Sequence, residues 1–378
     1  MTAQIPDSDC DQIIQVERWF DGDILHDSPF QVAIQDGLYV ASGSSLDLEA
    51  RQTIQSGGIL LGRVTDLHAH PDPYLSVFGV DPDTTSLPSG VHRVISQGDA
   101  GALALDSFIE RVVEGRKTQV GLAINISKFG ETRHGGAIQD LEDADVDLCL
   151  QAVRRKSEHV VAISVNASCS SCVNADPQEV LRRAIDVATE LQLPLLYGLR
   201  QDPDWSLARQ LELLRAGDIV TYCFRRTPHC IVTDDGVLPE IRDARQRGIC
   251  FDVGHGCQSF DFEVAEIAFQ SGFLPDTIST DLQRGHLGFH PTHTLPLVAS
   301  KMMSVGMPLV DVLRAITRGP AMILPYQPAA AFETGQSADC TVFTISSEEQ
   351  ILTDCSGNQR WSQVIKPEII FQKGQRVL

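Results

Sequence analysis

In the stretch "TDLHAHPDP", residues 65–73, two histidines stand one residue apart at the end of an apolar run. Side chains of a strand alternate between faces, so His68 and His70 point the same way, close enough to share one ion. Other groups able to do chemistry are scattered. Cys169 and Cys172 form "CSSC", half the ligands a structural zinc site requires. Two ordinary loop thiols, or a redox-dependent disulfide, are the alternatives. His286, His290 and His293 crowd one stretch. His290 or His293 could add a metal ligand, although histidines are common in surface loops.

The elements around these residues follow from periodicity. Residues 13–60 read as short strands, "IIQVERWFDG", "FQVAIQDGLYVASG" and "IQSGGILLG", punctuated by turn residues. The same texture returns in "ADCTVFTIS" and "EIIFQKGQRVL". Between these ends, strands alternate with helical patterns. The strand candidates are "RVTDLHAH", "VHRVIS", "QVGLAIN", "HVVAISVN", "LPLLYG", "DIVTYCF", "GICFDVG" and "DTISTD". In "ADPQEVLRRAIDVATELQ", Asp176 is a predicted N-cap, Pro177 opens the helix and Glu179 completes a capping box. "WSLARQLELLRAG" and "EVAEIAFQSG" are helical patterns ending at Gly217 and Gly272. Eight strand–helix units predict a (β/α)8 TIM-like barrel over residues 61–328, with function at the C-terminal ends of its strands. Residues 1–60 and 329–378 are expected to build a small β-sandwich from both termini. A doubly wound sheet is the runner-up, but no glycine-rich phosphate loop follows the first strand.

A formal net charge of −20 disfavours partners with phosphate backbones or anionic membrane surfaces. The first residues lack the basic and apolar regions of a signal peptide, and no apolar run is long enough for a membrane span. Ten dispersed cysteines, several in apolar runs, fit a reducing cytoplasm.

Read together, "DLHAH", "SGVHRVISQGDAGA", "AINISKFG", "AGDIVTYCF", "RDARQRGICFDVGHG", "GFLPDTISTD" and "GQSADCTVF" resemble the amidohydrolase superfamily, in its dihydroorotase-like deacetylase branch. The likeness runs through nearly the whole chain and is most specific from Ala216 to Asp281. It implies a barrel flanked by a β-sandwich, and two metals held at strand ends. Those ligands are an HxH on strand 1, a carboxylated lysine on strand 4, a histidine on strands 5 and 6, and an aspartate on strand 8 that also shuttles the proton. His68, His70 and Asp281 match the first pair and the last residue. Ser164 falls at the lysine's place, Gly198 at the strand-5 histidine and Tyr222 at the strand-6 histidine.

Those departures imply no carboxylated lysine and no second metal. Two imidazoles and one carboxylate still suit one divalent ion, expected to be zinc, with open positions for a water whose pKa would fall toward ~7. Arg200, two residues past Gly198, is a candidate for a substrate carboxylate; a salt bridge to Asp202 or Asp204 is its alternative. Tyr222 and His255 of "DVGHG" are further candidates at the mouth, and Cys223 should face away as packing. The expected function is hydrolysis of an amide or ester bond in a small, anionic substrate by a homo-oligomer, with Asp281 catalytic. The alternatives are a catalytically inactive binding or assembly module, or a redox- or metal-responsive protein acting through "CSSC".

Overall fold

The structure, a computed structural model, describes residues 9–202, 205–325 and 332–378. The first barrel strand, Thr65–Ala69, is buried at every position, as a parallel strand covered on both faces must be. Next to it run Arg93–Gln97, Gln119–Asn125, Val160–Val165, Leu195–Gly198, Ile219–Thr221 and Cys250–Phe251, all parallel and in chain order. Residues 277–282 close the ring. Thr277 bridges Asp252, just past the last strand, and Leu282 bridges Ala69 of the first. Backbone bonds complete the closure, with Asp281 N–H donating to His68 O (2.7 Å) and His70 N–H to Leu282 O (2.9 Å). All eight strand candidates thus take part in one (β/α)8 barrel.

Helices cover the outside. Pro177–Glu190 begins at Asp176, whose carboxylate accepts the Gln178 N–H. The expected capping box does not form, because Glu179 instead pairs with Arg182 and Arg183. Phe262–Gln270 ends as expected, with Gly272 at positive φ just past Ser271, whereas Leu207–Leu213 stops at an extended Leu214, short of the expected Gly217, whose positive φ serves the following turn.

The terminal strands form one seven-stranded sheet. From the N-terminal side come Cys10–Phe20, Leu25–Gln35, Leu38–Gly43 and Ala50–Leu61; from the C-terminal side come Cys340–Ile345, Ile365–Gln372 and Gln375–Arg376. Its pairs are antiparallel except Cys10–Phe20 with Ala50–Leu61. A hairpin, Gln350–Thr353 with Gln359–Ser362, was not evident in the sequence pattern. It brings Leu352 and Cys355 toward the barrel. The expected boundary at 328/329 lies outside the described residues. Among those described, no helix is long and apolar enough to cross a membrane.

Candidate active site

At the C-terminal ends of the strands, His68, His70 and Asp281 converge, each with a ligand atom within 4.8 Å of the others. Alternation along Thr65–Ala69 aims both imidazoles inward. Two buried relays then fix them. Asp252 accepts the Thr221 hydroxyl (2.7 Å), so Thr221 Oγ1 accepts from His68 Nδ1–H (2.9 Å). Asp99, which accepts Ser96 Oγ–H (2.8 Å), accepts His70 Nδ1–H (2.7 Å). Both histidines therefore turn Nε2 toward Asp281 Oδ1, at 3.5 Å from His68 and 3.2 Å from His70. Such outer partners set tautomer and orientation in metal-binding histidines.

Asp281 has φ +48°, a left-handed conformation rare outside glycine that costs about 1 kcal/mol or more. Asp66 holds the neighbouring residue in place by accepting both the Thr280 N–H (3.0 Å) and the Thr280 hydroxyl. Burial pushes the Asp66 carboxyl up to about 7 against those bonds. Asp281 is buried too, yet the charges of His68 and His70 hold it below the usual carboxylate range. Burial opposes the charge on His70, but Asp99 and Asp281 outweigh it and hold the imidazole well above its ordinary pKa. Among the described residues, buried Asp281 Oδ1 meets only the two imidazoles, at ion-pair distance and without a regular hydrogen bond. A buried carboxylate oxygen facing two imidazole nitrogens fits one divalent cation.

The other half of the centre is refilled. A Cβ on Gly198 would lie 1.8 Å from Asn166 Oδ1 and 3.1 Å from Tyr222 Cε2. The place of a strand-5 histidine is thus taken by the Asn166 carboxamide. Among the described residues Ser164 Oγ, which is buried, has no hydrogen-bond partner, and it is too short to reach across the centre. Tyr222, at φ +69°, points its hydroxyl at His68 Nε2 (3.3 Å). Burial, then the Asp281 charge, push its phenol well above its ordinary range, so it stays neutral. These residues do not fit a second ion or a bridging carbamate.

A cleft of about 410 Å³ opens above the cluster, lined by Arg200, Tyr222, Arg225, Glu131, Asn166 and Asp281 among others. Arg200 is where the sequence predicted, with no ion pair to Asp202 among the described residues; Asp204 lies outside them. Asp202 instead accepts the Cys169 N–H (2.9 Å) and thiol (3.4 Å). Cys169 is exposed, Cys172 buried, and both are free thiols. Cys223 is fully buried against Asp252 O, as packing.

Of the cleft residues that escaped the sequence reading, Arg225 and Glu131 are buried titratable groups. Arg225 is 7% exposed, stacks 4.2 Å from the Tyr222 ring centroid, and among the described residues leaves Nε without a partner. Burial, then Arg200, push its guanidinium down to about 10, so it remains a cation at neutral pH. Its only signal was position, at the end of strand 6. Glu131, in the loop after strand 3, is pushed up to about 7 by burial, with His70 opposing and Asp99 and Asp281 assisting. Conversely, His255, His286, His290 and His293 do not join the cluster; they line a separate cavity behind residues 254–257.

A family model for a deacetylase-like composite domain matches residues 332–370. A deacetylase of Agrobacterium fabrum is 30% identical over 340 residues, covering 88% of this chain and 82% of that protein. A crystal structure of a dihydroorotase superposes with a TM-score of 0.87 at 26% identity, covering 97% of this chain and 98% of that one. One of an adenine deaminase also gives 0.87, at 27% identity over 97% and 99% of the two chains.

Proposed function

The chain belongs to the deacetylase branch of the amidohydrolase superfamily, and from that premise we propose that it hydrolyses the amide or ester bond of a small acylated acid with one divalent ion, zinc being the expected metal. The observation that carries this reading is the buried convergence of Asp281 Oδ1 with Nε2 of both His68 and His70, at 3.5 and 3.2 Å. These three residues would hold the ion. When bound, it supplies Lewis-acid polarisation of a carbonyl and a nucleophilic hydroxide near neutral pH.

The chain's own groups do the rest. Asp281 offers a second carboxylate oxygen, Oδ2, held at 3.4 Å by Gln283 Nε2–H, to take a proton from the attacking water. Glu131 faces the same cleft and keeps a proton close to neutral pH, which suits delivery to the leaving oxygen or nitrogen. Arg200 and Arg225 line one side as two cations and would grip the substrate's anionic end with paired hydrogen bonds. Tyr222, neutral beneath Arg225, fills the floor. Ten free cysteines support a reducing cytoplasm, and a homo-oligomer is the assembly we expect.

Elemental analysis of the purified protein, joined to an assay over N-acetyl and O-acetyl amino and hydroxy acids, tests the proposal. One metal per chain and turnover, both lost in His70→Ala, are expected. A folded protein that carries no metal and turns over none of these acids would overturn it in favour of a binding or assembly module.

A further inference from the structure

Behind residues 254–257 lies a second cavity of about 340 Å³, to which none of His68, His70 and Asp281 contributes. Its polar centre is Lys301, on the helix Leu295–Ser304 and only 5% exposed. Hydrogen bonds fix the protonation around it. His255 Nδ1–H donates to Gly256 O (2.8 Å), so His255 Nε2 accepts from Lys301 Nζ (2.9 Å). His293 Nε2–H donates to Thr280 O (3.0 Å). His286 Nδ1 accepts from Gln283 N–H (3.2 Å), turning its Nε2–H to Cys257 Sγ (3.4 Å). The His286 and His293 rings stack at 3.9 Å, and His255 lies 4.8 Å from His293. Three neutral imidazoles therefore surround one ammonium.

That ammonium is under-used. It carries three N–H donors, and among the described residues its hydrogen-bond acceptor is His255 alone. The acidic neighbour Asp354 is not an ion partner. Its oxygens are taken by the N–H groups of Phe262, Ser356 and Asn358. A buried cation normally has a counter-charge, because desolvation without one is costly. Leu297, Leu352, Phe289 and Pro291 give the rest of the wall an apolar side, alongside the polar Thr353 and Asp354.

We propose that this cavity is a second ligand site, for a small organic monoanion whose carboxylate sits on Lys301 and whose apolar body lies against Leu297 and Leu352. One cation beside a committed aspartate matches a single negative charge, which disfavours a phosphate dianion. The apolar side formed by Leu297, Leu352, Phe289 and Pro291 favours an aryl or alkyl carboxylate over acetate. This site is independent of the hydrolytic reading.

Equilibrium dialysis of radiolabelled benzoate against the purified full chain tests it, since benzoate could also enter the front cleft at Arg225. The expected result is saturable binding that Lys301→Met weakens about tenfold or more, the worth of a hydrogen bond to a charged group. Arg225→Met should leave that binding in place. Binding unchanged in Lys301→Met, or lost only in Arg225→Met, overturns the proposal, as does an unaltered protein with no saturable binding. Should Lys301→Met not fold, Leu297→Trp keeps the cation and fills the cavity. Benzoate binding must then be lost, and its survival overturns the proposal.

Discussion

Replacing Gly198 with alanine adds a single carbon, and the structure says where it would go. The new Cβ would sit 1.8 Å from Asn166 Oδ1, 2.9 Å from Asn166 Cγ and 3.1 Å from Tyr222 Cε2. Carbon and its neighbours pack at about 3.5–4.0 Å, so Asn166 has to leave while Tyr222 yields by a few tenths of an ångström. The cleft gives the carboxamide room to swing out, at the expense of its long contact with Gln97 Nε2 (3.5 Å). Overpacking of this kind costs about 1–3 kcal/mol. In an Asn166→Ala background both Asn166 atoms are gone and only the 3.1 Å approach to Tyr222 Cε2 remains, so Gly198→Ala should cost far less. Urea unfolding of the four proteins measures the coupling, expected to be at least about 1 kcal/mol, well outside the roughly 0.5 kcal/mol scatter of independent sites. Gly198→Ala that is equally neutral, or equally costly, in both backgrounds would refute the claim that Asn166 occupies the missing histidine's place.

Three further outcomes follow from the same geometry. Asp99→Asn keeps the shape but removes the charge behind His70, and should weaken metal affinity about 10–100-fold, read by competition with a chromogenic chelator. Arg225→Met should lower kcat/KM for anionic acyl substrates about tenfold or more through KM, while metal content stays unchanged. Burial pushes Lys301 from 10.5 down to about 8. Between those values the unfolded chain binds a proton that the folded chain does not, so stability relative to Lys301→Met should rise as pH rises through that window. At about 1.4 kcal/mol per pH unit the ceiling is roughly 3 kcal/mol, measured by urea unfolding at the two ends. A flat difference would show that Lys301 keeps its charge through a partner.

The barrel was legible because parallel strands buried on both faces leave unbroken apolar runs, and all eight were readable, including Thr277–Leu282, which closes the ring through bridges alone. The hairpin Gln350–Thr353 with Gln359–Ser362 was not, since its apolar Ile351 and Trp361 face solvent and blur the alternation. His68, His70 and Asp281 were identifiable from motif and order. The contributions of Asn166, Glu131 and Arg225 were not, because each depends on which way a strand-end or loop side chain turns. The histidines show the same limit from the other side. His286 and His293 neighbour Asp281 in sequence, yet loop geometry gives them to the Lys301 cavity. Glu179 had capping-box spacing, but two nearby arginines competed for its carboxylate and won.

What the chain expends on this centre is unevenly distributed. Asp66, Asp99 and Asp252 are each at most 1% exposed, and each is committed to holding the strand-end residues around one point. Buried carboxylates are costly unless fully hydrogen-bonded, and here hydroxyls and imidazoles satisfy them. No such investment surrounds Ser164 or Gly198. There, an amide, a neutral phenol and a stacked guanidinium fill the volume. On the one-ion reading, giving up a second divalent ion and its bridging carbamate removes net positive charge from the mouth of the barrel. Arg200 and Arg225 return positive charge as fixed cations that need no ligand cage and whose hydrogen bonds are directional. Such an exchange trades a metal's ability to polarise a carbonyl for the ability to orient a carboxylate. It predicts a centre whose substrate range is set by its anionic group more than by its acyl group.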